Sequence, residues 1–165
     1  MDLIPIKDWE DIYSFDKNTN GIYNTKFNRF IKPRLTKNYL RYTFHKNNKR
    51  YDILLHRIIY QIYNPEIDIS NLFIDHIDRN TKNNNIENLR LADRSQNQCN
   101  TKMYKNNILG VKNITLARNK FVVRIRIYNK TYRKSFYTLE EAIKHRDIKL
   151  IELHGEFSNI YNKID

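Results

Sequence analysis

Three short stretches near the middle of the chain hold side chains that can do chemistry together. They are Phe73-Ile74-Asp75-His76-Ile77-Asp78, then Asn83-Asn84-Asn85-Ile86-Glu87-Asn88-Leu89-Arg90, then Ser95-Gln96-Asn97-Gln98-Cys99-Asn100. Hydrolysing a phosphodiester requires a base for water, an electrophile for the charge that builds on the phosphate oxygens, and help for the leaving oxygen. A histidine beside an aspartate divides that labour: the imidazole removes a proton while the carboxylate holds a divalent cation against the phosphate. Oxygen donors from Asp and Asn are hard and suit Mg²⁺, with Mn²⁺ as a substitute, over the zinc that thiolates select. An Asp-His pair alone is common in ordinary surface and core positions, so weight falls on the ordered succession.

The elements around these stretches are legible from periodicity. Leu54 to Tyr63 reads as a short helix, with Leu54, Leu55, Ile58, Ile59 and Ile62 at three-to-four spacing and Pro65 beyond its end. His56 lies inside it and reads as a structural residue. Downstream, Phe121, Val123, Ile125 and Ile127 alternate with Val122, Arg124, Arg126 and Tyr128, the period of a half-buried strand with one basic-aromatic face. Thr131 to Tyr137 reads as a further strand. Thr138 and Glu141 match a capping box, and the helix that follows carries Leu139, Ala142, Ile143, Leu150 and Leu153 as a stripe stopped by Gly155. Arg146 interrupts that stripe. Upstream, Asn20-Gly21 is a turn signal among the β-favouring runs of residues 1–50.

Composition narrows the classes. The chain has 165 residues and a formal charge of +12, and between Lys105 and Lys134 nine Lys or Arg occur without one acidic residue. Such a balance points to a polyanionic partner, nucleic acid first. Three dispersed glycines rule out a P-loop and a dinucleotide fingerprint, and a single cysteine, Cys99, rules out an intrachain disulfide or a zinc site of paired cysteines. No apolar run approaches the roughly 18 residues of a membrane span, and the N-terminal stretch is unlike a signal peptide, so a soluble intracellular protein without a membrane partner is expected. Abundant Asn, Ile and Lys, all with A/T-rich codons, are what a base-biased genome such as that of a virus or phage produces.

Taken in order, the central stretches resemble the HNH endonuclease family, particularly the phage and intron-encoded homing enzymes. The likeness rests on Asp75-His76-Ile77, Ile86-Glu87-Asn88-Leu89-Arg90, and Ser95-Gln96-Asn97 with Asn100. His56-Arg57-Ile58 and Tyr63-Asn64-Pro65 match the family's lead-in helix. The resemblance implies a β-hairpin and a helix folded around one metal ion. His76 would be the general base, Asp75 a metal ligand, and Asn88 the residue that ties the hairpin loop and orients His76. Asn97 would be the second metal ligand, with Asn100 a weaker candidate, and Arg90 would contact phosphate or form a structural ion pair. Two positions depart from the family pattern: Arg79 stands where relatives have Gly, and Lys82 replaces an apolar residue.

The flanks extend the resemblance. Residues 1–50 are similar to nuclease-associated modules, through Trp9, Tyr13 and Asn20-Gly21. Residues 108–157 resemble the plant ethylene-response-factor type of DNA-binding domain, through Gly110-Val111, the Phe121–Tyr128 strand, Thr138 to Ala142 and His154 to Phe157. That likeness implies Arg124, Arg126, Tyr128 and Arg133 facing DNA, with Lys120 and Lys130 on phosphates. The resulting expectation is an α+β chain with a β-rich module over 1–50, a ββα-metal core over 51–104, and a three-stranded antiparallel sheet on one helix over 105–165. Its expected activity is Mg²⁺-dependent hydrolysis of double-stranded DNA by a homing-type, monomeric nuclease, for which one active site favours nicking. The alternatives are a catalytically inactive DNA-binding regulator and, third, a basic RNA-associated structural protein.

Overall fold

The computed structural model describes residues 1–101, 103 and 106–158. The boundary expected after residue 104 and the chain from 159 to 165 lie outside the described residues. The chain is a mixed α+β protein of several small sheets and few helices, in two compact units, Met1–Leu91 and Ala92–Asp165.

In the first unit, β1 (Leu3–Pro5), β2 (Tyr13–Asp16), β3 (Gly21–Asn24) and β4 (Arg29–Ile31) form a four-stranded antiparallel meander. A second meander joins β5 (Arg34–Thr36), β6 (Tyr39–Lys46) and β7 (Lys49–Leu54), and β7 runs directly into α1 (Leu55–Tyr63). Finally β8 (Phe73–His76) pairs with β9 (Leu89–Ala92), with a 3-10 turn over Ile86–Asn88 between them. One core holds all of this. Trp9 meets Phe44 and Tyr51 edge-on, Tyr13 stacks on Phe44 at 4.1 Å, and Leu55, Ile58, Ile59, Ile74 and Leu89 belong to the same buried cluster. Residues on both sides of position 50 share this core, and the two compact units divide between Leu91 and Ala92.

The abundant asparagines find a physical use here. Two-residue hairpin loops need left-handed backbone, which glycine normally supplies. With few glycines available, Lys37-Asn38 and Asn47-Asn48 take positive φ at the ends of the β5–β6 and β6–β7 hairpins, and Arg118-Asn119 does so in the second unit. Among the described residues, seven of the twelve non-glycine positions with positive φ are Asn, whose short polar side chain tolerates that region best.

In the second unit, α2 (Arg94–Cys99) starts on a capping box formed by Asp93 and Gln96. An antiparallel sheet of β10 (Ile114–Ala117), β11 (Lys120–Ile127) and β12 (Lys130–Phe136) follows, then α3 (Leu139–His154). The Thr138–Glu141 capping box opens α3, and Gly155, at φ 52°, ends it. Val123 and Ile125 of β11 are buried with Ala142 and Leu150 of α3. Arg146, which interrupts the apolar stripe, is fully buried because its guanidinium is a tie: Nη1 donates to the Lys112 carbonyl at 2.9 Å, and Nε lies 2.6 Å from Asp147.

Candidate active site and nucleic-acid surface

Strand β8 presents its residues alternately to two sides. Ile74 enters the core, and His76, on the same side, reaches the inner face of α1. There the rings of His56 and His76 meet edge-on at 5.0 Å, with Tyr39 of β6 at 5.4 Å from His56 and 6.1 Å from His76. Burial, and then the neighbouring His76, push the pKa of His56 down to about 3, so the ring beside His76 is neutral at physiological pH. His56 was read as structural from the sequence; the signal that it faces inward is its three-to-four spacing from Ile59 and Tyr60.

His76 itself is fixed by a residue that the sequence does not distinguish. Its Nε2 lies 3.0 Å from Oδ1 of Asn84, whose Nδ2 donates to the Lys82 carbonyl at 3.3 Å. An amide oxygen only accepts, so Nε2 is the donor in this bond. Asn84 is the middle of three consecutive asparagines, and nothing in spacing or composition singles it out.

Asp75, on the other side of β8, is buried against Arg90 of β9, with Nε to Oδ2 at 3.0 Å. Of the two roles open to Arg90 in the sequence, the structure realises the ion pair. Asn88 closes the loop between the strands. Its Nδ2 donates to Asp78 Oδ1 at 2.9 Å and to the Asn83 carbonyl at 2.8 Å, and its Oδ1 accepts from the Asp78 backbone N–H at 3.0 Å. Asn88 thus ties the loop, while the direct bond to His76 comes from Asn84. Burial raises the pKa of Asp78, but hydrogen bonds from Asn83, the Asn80 backbone and Asn88 outweigh it and hold the carboxyl below its usual value. Arg79 takes the left-handed conformation at φ 62°, where relatives of the resembled family carry Gly, and Asn80 does not relieve it.

Whether these side chains suit a divalent cation is a question of donor chemistry. Among the described residues no three His, Cys, Asp or Glu side chains converge as a metal cage. The site offers a single buried carboxylate, Asp75, next in the chain to an oriented imidazole. That set fits a hard divalent cation bound through one or two carboxylates, with waters or phosphate oxygens at its remaining positions. Asn97, the other expected ligand, is on α2 in the second unit, and Asn100 follows that helix as its C-cap.

The second unit holds the expected DNA-contacting residues. Arg124 lies directly opposite Arg133 across β11 and β12, and Arg124 and Arg126 are exposed on the face away from the buried Val123 and Ile125. Lys120 shares that face by alternation, with its ammonium 4.5 Å over the Tyr137 ring. Two residues sit differently from expectation. Lys130 pairs with Ile127 and by register belongs to the helix side of the sheet. Tyr128 is not in the strand; β11 ends at Ile127, and Tyr128 forms the hairpin turn at φ 50°.

Residues 54–99, which contain α1, the hairpin and α2, match the family model for HNH endonucleases. HNH nucleases generally use a divalent metal. The chain is 38% identical over 112 residues to an uncharacterized HNH endonuclease of Acanthamoeba polyphaga mimivirus. The alignment covers 67% of this chain and 58% of that protein, so the chain spans less than two thirds of the relative's length. In structure it is similar to the HNH homing endonuclease I-HmuI, studied for DNA binding and cleavage. The TM-score is 0.54 at 24% identity, covering 99% of this chain and 94% of the other, and the likeness is one of fold. Among the described residues no helix is long and apolar enough to cross a membrane.

Proposed function

We propose that the protein is a DNA endonuclease that hydrolyses a phosphodiester bond with Mg²⁺, for which Mn²⁺ can substitute. The observation that carries this reading is an imidazole oriented by Asn84, on the strand that also presents the Asp75 carboxylate. In this reading His76 takes the proton of the attacking water at Nδ1, and Asp75 holds the cation. Asn97 is the second ligand on the strength of the family resemblance alone. Arg90 orients the Asp75 carboxylate, and Asn88 keeps the hairpin loop closed so that Asn84 stays under the ring. A bound cation would supply charge neutralisation at the scissile phosphate and the leaving oxygen.

The three-stranded sheet with α3 behind it supports an ethylene-response-factor-like module that lays Arg124, Arg126 and Arg133 against double-stranded DNA, with Lys120 at phosphates. Similarity to a viral HNH protein and to a homing endonuclease supports a virus-encoded, homing-type nuclease that acts inside the host cell as a monomer, one site nicking one strand. A second reading is favoured by one observation. The Arg90 guanidinium already neutralises Asp75, which is compatible with a nuclease retained only for DNA binding.

Supercoiled plasmid carrying DNA of the source genome separates the two. Nicked product with Mg²⁺ and none with EDTA is expected. Binding of that DNA without cleavage in either Mg²⁺ or Mn²⁺ would favour the regulator.

A further inference from the structure

We propose that the second unit contains a nucleotide-binding pocket that takes one unpaired nucleotide of a DNA strand. Its phosphate lies against Arg94 and Arg126, and its base against the ring of Tyr128. The pocket lies between α2 and the β11–β12 turn, has a volume of about 410 Å³, and is lined by Arg94, Ser95, Gln98, Arg126, Tyr128 and Asn129. That volume is in the range of cavities that hold small organic ligands and exceeds what a bare anion fills.

The lining chemistry is selective. Two guanidiniums supply bidentate phosphate donors, two amides and a hydroxyl supply hydrogen bonds to a base edge, and a phenol ring supplies a stacking face. Among the described residues no carboxylate lines it. The chain has no Asp or Glu from residue 94 to residue 139, and among the described residues neither Arg94 nor Arg126 forms an ion pair with a carboxylate. Unrelieved positive charge of this kind favours an anion.

Tyr128 supplies the second line of argument. It is 65% exposed and its backbone has φ 50°, a region in which the Cβ of a bulky residue is crowded. Two things keep it there: the two-residue turn between Ile127 and Lys130, and the bond from its backbone N–H to Ser95 Oγ at 3.0 Å. Backbone held in a sparsely populated region by its surroundings is found disproportionately at ligand sites. Here it holds an exposed aromatic ring at a pocket lined by two arginines. A paired base shows only its edge to a groove, because both of its faces are covered by stacking. A ring that offers its face therefore suits a base that has left the stack.

This inference rests on the reading of DNA as the partner, and its test is run in EDTA so that cleavage plays no part. Fluorescence anisotropy would compare a labelled perfect duplex with the same duplex carrying a single-nucleotide bulge. Wild type is expected to bind the bulged duplex several-fold more tightly. Tyr128→Ala removes that preference and Tyr128→Phe keeps it. Arg126→Gln weakens both complexes and lowers the salt slope by about 0.9. Equal affinity of wild type for the two duplexes, or a preference that survives Tyr128→Ala, would overturn the pocket assignment. Failure to cleave on adding Mg²⁺, with the bulge preference intact, would count against the nuclease reading alone.

Discussion

The β8–β9 hairpin and the outer face of the β11–β12 sheet are both rich in charged and polar groups, yet they are built on opposite terms. In the hairpin, almost every polar side chain is answered by another. Asp75 has Arg90, His76 has Asn84, and Asp78 is held by both Asn83 and Asn88. On the sheet face Arg124 stands opposite Arg133, and among the described residues neither forms an ion pair with a carboxylate. A reacting group must be held in one geometry before substrate arrives, so its supporting bonds contribute to folding. A surface that receives a polyanion gains by leaving its charges unanswered, at the expense of some self-repulsion in the free protein. Mutations in the first region should therefore register in stability, and mutations in the second in binding.

Asn88→Ala is the most direct way to break that contrast. It removes three hydrogen bonds and leaves the Asp78 carboxylate and the Asn83 carbonyl without that partner. A loss of about 1–3 kcal/mol is expected in urea unfolding, with cleavage falling alongside. An unchanged midpoint would remove the hairpin from the class of stability-coupled sites.

Acidification probes the same region through His56. Its pKa is 6.5 when unperturbed and about 3 in the folded chain. Below 6.5 the unfolded state binds a proton that the folded state refuses until near 3, so stability falls as pH falls through that window. Between pH 7 and pH 5 the loss from this group is about 2 kcal/mol. Equilibrium unfolding at the two pH values measures it, and His56→Gln should flatten the dependence.

Smaller still is the gain from Arg79→Gly. The residue sits at φ 62°, and relief of the Cβ contact is worth about 1 kcal/mol, partly offset by the entropy of an added glycine. A rise in thermal midpoint of a few degrees is the expected result. On the sheet face, Arg124→Gln should change stability by less than about 0.5 kcal/mol while lowering the salt slope of duplex binding by about 0.9. A large destabilisation there would mean that the face is structural.

Much of the candidate site's arrangement is legible in the sequence because its residues are close in the chain. Asp75, His76, Asn88 and Arg90 fall within sixteen consecutive residues, and the strand alternation of Phe121–Ile127 and the Thr138 capping box are short-range patterns. What escaped depends on long-range packing. His56 reaches His76 only because α1 turns its inner face to β8, and Asn84 differs from its two neighbours only in where the loop folds. Arg146 looked anomalous because an apolar stripe says nothing of a carbonyl that needs a donor. The module read over residues 1–50 rests on short-range likeness, whereas the buried cluster from Trp9 to Leu89 is set by long-range packing. Alternation alone makes Tyr128 the last strand residue and Lys130 part of the turn, whereas the register pairs Ile127 with Lys130 and puts Tyr128-Asn129 in the turn.

The central claim, that His76 is the base of a metal-dependent cleavage reaction, is tested most directly by measuring cleavage and DNA binding on the same preparation of His76→Ala, beside wild type, in Mg²⁺. Cleavage should fall by roughly 10²- to 10⁴-fold while duplex affinity stays within about twofold, since the proposed DNA-binding face lies on other strands. A His76→Ala protein that cleaves at the wild-type rate would contradict the account.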